Sequence, residues 1–208
     1  MPEFSLVESV IDTSCICSTL QCLPRDLVPH LTEFREIDYT VIAPDIFPGL
    51  KKVCDSLREV RAVHHDLFEH HRSPSGLIDF NWIDVSRNLL WANQQEKDLI
   101  SSVTDLGVDS IASFFLEDKS SAAKHIRFLK YIEGSQVDEH QHEDSRLVIL
   151  FQLGGEYTGG KLQFETPSGE WIDIDDSINN LILFKGRVTH QVLRLESGLR
   201  EACSILAD

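Results

Sequence analysis

Positive charge is what this chain has least of. Only 19 Lys and Arg residues stand against 34 Asp and Glu, a formal net charge of −15. That balance favours solubility and disfavours nucleic acid or anionic membranes as partners. Long apolar runs are also missing, and no segment has the length needed to cross a bilayer. The stretch from Met1 to Val10 is acidic, with no basic region ahead of an apolar core. No secretory signal is therefore expected, and the cytoplasm is the expected compartment. Cysteine is sparse and odd in number, at Cys15, Cys17, Cys22, Cys54 and Cys203. Reduced thiols are the expectation, and the spacing of the first three fits no standard zinc pattern. No internal repeat and no low-complexity linker is found. The glycine pairs Gly154-Gly155 and Gly159-Gly160 lack the lysine-serine/threonine ending and following helix of a phosphate loop.

What is present is an ordinary globular composition, 42% hydrophobic and 25% charged over 208 residues. It is enough for one domain with a real core, so 1–208 is read as a single domain. The pattern changes near residue 122. Before it, the periodicity is mostly helical. Leu50, Val53, Leu57, Val60, Val63 and Leu67 form one stripe over 48–70, with Pro44 and Pro48 at its entry. A second helix is expected over 94–106, stopped by Gly107, and a third over 109–117. Residues 77–91 read as a strand and a loop.

After residue 122, β-formers alternate in short runs: 125–132, 146–153, 161–165, 171–175, 181–184, 188–195 and 200–206. About seven or eight short strands in the last 85 or so residues point to a jelly roll or small barrel. Apolar helical stripes must be buried somewhere, so the N-terminal helices are expected to pack along its outside. The predicted class is mainly β, with 1–122 as helical support and 123–208 as the core.

The chemistry concentrates between Tyr131 and Arg200. Side chains at i and i+2 of a strand point the same way, so His142 and Asp144 would converge on one point. His190 could reach that point if the sheets wrap around it. Two histidines and one carboxylate are the facial set of a non-haem Fe(II) centre, with positions left open for substrate and O₂. Arg200, in an apolar stretch, needs an anion. A dicarboxylate could hold iron at one end and Arg200 at the other.

Tyr131-Ile-Glu-Gly134, His142-Glu-Asp144, Tyr157-Thr-Gly-Gly160-Lys-Leu162-Gln-Phe164, Leu183-Phe184, His190-Gln-Val192 and Gly198-Leu-Arg200 together carry a resemblance. Over roughly 125–206 the chain resembles the Fe(II)/2-oxoglutarate-dependent dioxygenases, prolyl 4-hydroxylase-like branch. The resemblance implies a double-stranded β-helix, a cupin-like jelly roll. It implies Fe(II) held by His142, Asp144 and His190, and 2-oxoglutarate on the iron with its far carboxylate on Arg200. Tyr131 would lie near that co-substrate. With O₂, the outcome would be succinate, CO₂ and hydroxylation of an unactivated C–H bond in a small-molecule or amino-acid-type substrate. Oligomeric state is not indicated.

Two departures keep alternatives open. His140 stands where the family often has its first histidine after Tyr131, which would pair His140 with His142 and leave no carboxylate at the usual place. Arg200-Glu201-Ala202 replaces a frequent Arg-x-Ser, with Ser204 on the same face. The rival reading is a cupin-type metal enzyme, or a non-catalytic jelly-roll ligand-binding module, using His140, His142 and His190; it lacks the glutamate that cupins carry after the second histidine. Arg200 could also form a structural ion pair with Glu165 or Asp173. Arg127 shares the face of Tyr131 and could meet substrate or a carboxylate. His64, His65, His70 and His71 read as a solvated helix face. Trp82 and Trp91 read as buried packing, and Asp173, Asp175 and Asp176 as a solvated strand and turn.

Overall fold

The computed structural model describes residues 38–63, 69–72, 78–84, 94–104, 106–116 and 121–208. Two antiparallel sheets face each other. The larger contains β1 (Tyr39–Ile42), β2 (Glu69–Arg72), β3 (Ile78–Asp84), β4 (Ala123–Ile132), β6 (Leu147–Gly154), β10 (Leu181–Lys185) and β12 (Leu195–Ala207), in the order β1-β10-β6-β12-β4-β3-β2. A short β7 (Tyr157–Gly159) pairs with the start of β12. The smaller sheet runs β5-β11-β8-β9, from β5 (Val137–His140), β8 (Leu162–Glu165), β9 (Trp171–Asp173) and β11 (His190–Val192). This is the jelly-roll architecture anticipated above.

The strand period of two explains how the large sheet serves two cores. In β6, Leu147, Ile149, Phe151 and Leu153 join one buried cluster, and Val148 and Leu150 join another. β10 divides the same way, Leu181 and Leu183 against Ile182 and Phe184. The first cluster packs under the helices, and the second fills the space between the sheets. β6 therefore reads as a continuous apolar run, because neither of its faces meets water.

The helices supply the cover. In α1 (Gly49–Val63), Leu50, Val53, Cys54 and Leu57 are buried at three- and four-residue steps. Arg58 of α1 donates through Nε to the Leu153 carbonyl at 2.5 Å and through a terminal nitrogen to Asn179 Oδ1 at 2.9 Å. Arg61 bonds Glu201 at 2.7 Å, so the helix is stitched to the sheet by polar groups as well. α2 (Gln94–Thr104) and α3 (Val108–Leu116) contribute Ile100, Val103, Val108, Ile111, Ala112 and Phe115 to the same cluster.

The first helix is shorter than the periodicity suggests. It ends at Val63, which is 68% exposed, and Glu69–Arg72 pairs with β3 instead. His70 and His71 therefore lie on a strand and not on a helix face. The region before 122 is thus not only helical: β1, β2 and β3 extend the large sheet on both edges. Leu67, Trp91, His64, His65, Cys15, Cys17 and Cys22 fall outside the described residues. Cys54 and Cys203 are buried free thiols.

Candidate metal centre and cavity

Three histidines meet where the small sheet closes over the large one. β5 ends on His140, which is paired across the ladder with His190, the first residue of β11. The backbone stays extended for two more residues and brings His142 to the same side. Ring centroids lie 4.1 Å apart for His140–His190 and 5.0 Å apart for both His140–His142 and His142–His190. One nitrogen from each ring lies within 4.8 Å of the other two. Among the described residues, this is the group of His, Cys, Asp and Glu side chains able to hold a metal ion.

Asp144 is not in this group. Alternation holds only while the backbone is extended, and it stops at His142. Ser145 N donates to the His142 carbonyl at 3.0 Å, closing a tight turn that reverses the chain into β6. Asp144 sits exposed on that turn, and its backbone carbonyl accepts from Lys124 Nζ at 2.9 Å. Gly186 holds the turn from below. His142 N donates to the Gly186 carbonyl at 2.8 Å, and a Cβ on Gly186 would stand 1.9 Å from the Ser145 oxygen. The structure therefore assembles the three-histidine set that the spacing from Tyr131 left open, with His142 and His190 common to both registers.

The protonation of these rings suits a metal. His140 Nδ1 lies 2.9 Å from the Asp138 carbonyl and His190 Nδ1 lies 3.0 Å from the Val188 carbonyl. Carbonyls only accept, so both Nδ1 atoms carry a proton and Nε2 is the atom each ring turns towards a metal. Burial, followed by the neighbouring His190, His140 and Arg127, pushes His142 down to about 3. Burial and His140 push His190 down to about 4, against a lift from its bond to Val188. Both rings are neutral ligands at pH 7 without help from a metal.

The histidines form one end of a cavity of about 230 Å³ between the sheets. Its floor is the inner face of β4 and β12, where Arg200 pairs with Tyr131, Ala202 with Leu129 and Ser204 with Arg127. Arg127 does share the face of Tyr131. Leu150, Leu162, Phe184 and Val192 make the walls apolar. At the far end Arg200 is 1% exposed, with its guanidinium 5.2 Å from the Tyr131 ring centre. Burial raises the Tyr131 hydroxyl pKa, with Arg200 and Arg127 pulling it the other way, so the group stays a donor. Gly198, at φ +86, is required one turn of the ladder earlier: a Cβ there would lie 2.0 Å from the Glu156 carbonyl.

Arg200 has an internal partner, and it is neither Glu165 nor Asp173. Its terminal nitrogen lies 3.2 Å from Asp176 Oδ2. Asp176 is 4% exposed, whereas Asp173 and Asp175 face solvent as expected. Nothing in the local sequence separates Asp176 from its acidic neighbours. Only the return of the loop after β9 over the end of β12 buries it.

A jelly roll with a three-histidine cavity is the class that fold and site define. No family model matches the chain and no curated protein matches it. Solved structures match across most of its length. An oxidoreductase of the 2OG-Fe(II) oxygenase family from Burkholderia pseudomallei aligns with TM-score 0.70 at 11% identity, covering 88% of this chain and 89% of that one. A Pseudomonas putida prolyl-4-hydroxylase aligns with TM-score 0.56 at 16% identity, over 86% and 98%. The α-ketoglutarate-dependent epimerase SnoN from nogalamycin biosynthesis aligns with TM-score 0.63 at 12% identity, over 88% and 82%. The chain has the fold of the 2OG-Fe(II) oxygenases, prolyl 4-hydroxylases among them.

Proposed function

We propose that the protein is a non-haem Fe(II) oxygenase that uses 2-oxoglutarate and O₂, with His140, His142 and His190 as its metal ligands. The observation that carries this reading is the trio of converging imidazoles, two of them oriented by backbone carbonyls, opening onto a cavity that ends in a buried arginine. Imidazole nitrogens suit a first-row divalent metal such as Fe(II), and three of them leave positions open for two oxygens of a keto acid and for O₂. They bring no negative charge, so an ion bound here keeps its full double charge. A dianionic co-substrate offsets that charge, which is the role a carboxylate ligand plays in part elsewhere.

The bound metal would supply the redox chemistry that couples decarboxylation of the keto acid to oxidation of a substrate C–H bond. The overall balance is R–H + 2-oxoglutarate + O₂ → R–OH + succinate + CO₂. The chain's own residues bind and orient. Arg200 takes the far end of the co-substrate through guanidinium N–H donors, Tyr131 donates its O–H along the same floor, and the apolar walls exclude water. A small-molecule or amino-acid-type substrate fits the size of the cavity. SnoN, an epimerase, has the same fold, so hydroxylation is the part of the reading that most needs its own test.

Succinate formation that requires Fe(II), 2-oxoglutarate and O₂ together is the expected result, and a product heavier by one oxygen identifies hydroxylation. Succinate with no change in substrate mass would replace hydroxylation with another outcome. The lack of a carboxylate among the three ligands favours a second reading, a cupin-type metal enzyme or binding module. Calorimetry under anaerobic conditions separates them: metal binding with no response to any 2-oxo acid would select the second.

A further inference from the structure

Arg200 and Asp176 are an ion pair almost wholly shut off from water, at 1% and 4% exposure. The guanidinium still lines the cavity; neither its Nε nor Asp176 Oδ2 has a hydrogen-bond partner, so the pair is a charge contact and not an aligned hydrogen bond. Asp176 has a second cation on its other side. Its Oδ1 lies 3.9 Å from Lys161 Nζ, and the Lys161 side chain is 53% exposed. The backbone around Asp176 is fixed by local bonds: Asn180 donates to the Asp175 carbonyl at 3.1 Å, and Ser177 N donates to Asp175 Oδ1 at 3.2 Å. Movement of Asp176 is therefore a matter of its side chain.

We propose that Asp176 is an internal counter-anion for Arg200 that sets how strongly the cavity prefers a keto acid carrying a second carboxylate. The proposal rests on the co-substrate reading above and deepens it. A terminal carboxylate arriving at Arg200 meets Asp176 already there. Two carboxylates on one guanidinium repel each other in a water-poor site. The incoming group gains its bond only as Asp176 turns away from Arg200 towards Lys161. An exposed lysine returns little of what the buried pair loses. Nε remains as a donor for a neutral acceptor, so a 2-oxo acid without the second carboxylate loses little by comparison.

The test uses the full chain loaded with Mn(II), titrated calorimetrically with 2-oxoglutarate and with 2-oxobutyrate. The two share the metal-chelating end and differ in the far carboxylate. An open arginine is worth on the order of 10- to 100-fold in affinity for that carboxylate. The wild type is expected to prefer 2-oxoglutarate by less than about tenfold, and a larger preference overturns the proposal. Asp176→Asn is expected to raise the preference at least about tenfold by tightening 2-oxoglutarate, with 2-oxobutyrate unchanged. A ratio that stays put, or two ligands that shift together as a merely structural residue would make them, overturns it. Should the variant fail to fold, the wild-type ratio decides alone. If neither keto acid binds the metal-loaded protein, the co-substrate reading falls and this inference with it, an outcome distinct from a flat ratio.

Discussion

The large sheet is made of long strands, ten residues in β4, eight in β6 and thirteen in β12, packed under helices on one face and over the cavity on the other. The small sheet has strands of only three or four residues. Yet the small sheet and the turn after it carry all three histidines, and the large sheet carries Arg200. The long ladders lie in one layer and two of the three histidines on the short strands of the other. The histidines are kept in place by ladder pairs, backbone carbonyls and a few aromatic contacts, such as Phe184 on His190 at 4.8 Å. The two ends of the cavity differ in the same way. At the histidine end burial holds His142 and His190 neutral, whereas the arginine end is charged and already compensated.

Truncating one aromatic residue in each layer tests this division most severely. Phe151→Ala, under the helices, should cost about 3–5 kcal/mol in urea unfolding and leave metal affinity unchanged. Phe164→Ala, beside His190 in the small sheet, should cost stability and also weaken metal binding about tenfold through the ring it supports. Equal effects on metal binding would erase the distinction between the layers.

Removing a ligand comes next in size. His190→Ala and His140→Ala should each weaken Mn(II) or Co(II) binding by roughly 100-fold or more in a metal titration, because two imidazoles remain where three were. Asp144→Ala should change it less than about twofold. Loss of metal with the Asp144 variant, and its retention with His140→Ala, would restore the carboxylate register.

Gly186→Ala probes the turn rather than a ligand. The added methyl group meets two backbone oxygens, those of Ser145 and His142, at 1.9 and 2.5 Å. The turn must shift and carry His142 with it, so metal affinity should fall about tenfold while far-ultraviolet dichroism stays native. Unchanged affinity would show that the turn adapts without moving the ring.

The smallest effect is expected at the edge of the large sheet. Asp38 bonds Lys185 and Arg187. Burial raises its pKa, but the bonds to the two cations outweigh that and leave it below the ordinary carboxylate value. Its contribution is therefore complete above the unfolded-state value near pH 4 and fades as pH falls through the lower folded-state value. Asp38→Asn should cost about 0.5–1 kcal/mol at pH 7, and the gap should close below about pH 4. Asparagine tolerates the left-handed backbone, φ 63, found there. A gap that did not narrow as the pH fell below about 4 would assign the cost to packing instead of charge.

Most strands after 122 were legible because they bury one or both faces of a patterned run, but β5 and β7 were not expected: they are short and no residue in either is buried. β6 and β10 are mostly apolar, with Gln152 and Lys185 as the polar exceptions, and β4 alternates in part. α2 and α3 were legible from their stripes. α1 was read too long because the stripe of apolar residues continues past Val63, while 69–72 folds back on β3 as a neighbouring strand, a pairing that helical periodicity does not carry. At the site, His142, His190 and Arg200 were singled out from residue chemistry and Tyr131 from the resemblance, and all four line one cavity. Asp144 was placed beside His142 by alternation, and a four-residue turn, closed by one backbone hydrogen bond and seated on Gly186, takes it out.

Local patterning was enough to specify most of the runs that become strands and which side chains share a face, and the motif resemblance added the expectation that two histidines and an arginine would meet in a jelly roll. Hydrophobic alternation is a nearest-neighbour property, and it survives without knowledge of the rest of the chain. The choice of His140 over Asp144, and the burial of Asp176 against Arg200, came from contacts between segments far apart in the chain. A turn's direction and a loop's return depend on what the opposing sheet leaves room for. No run of adjacent letters records that.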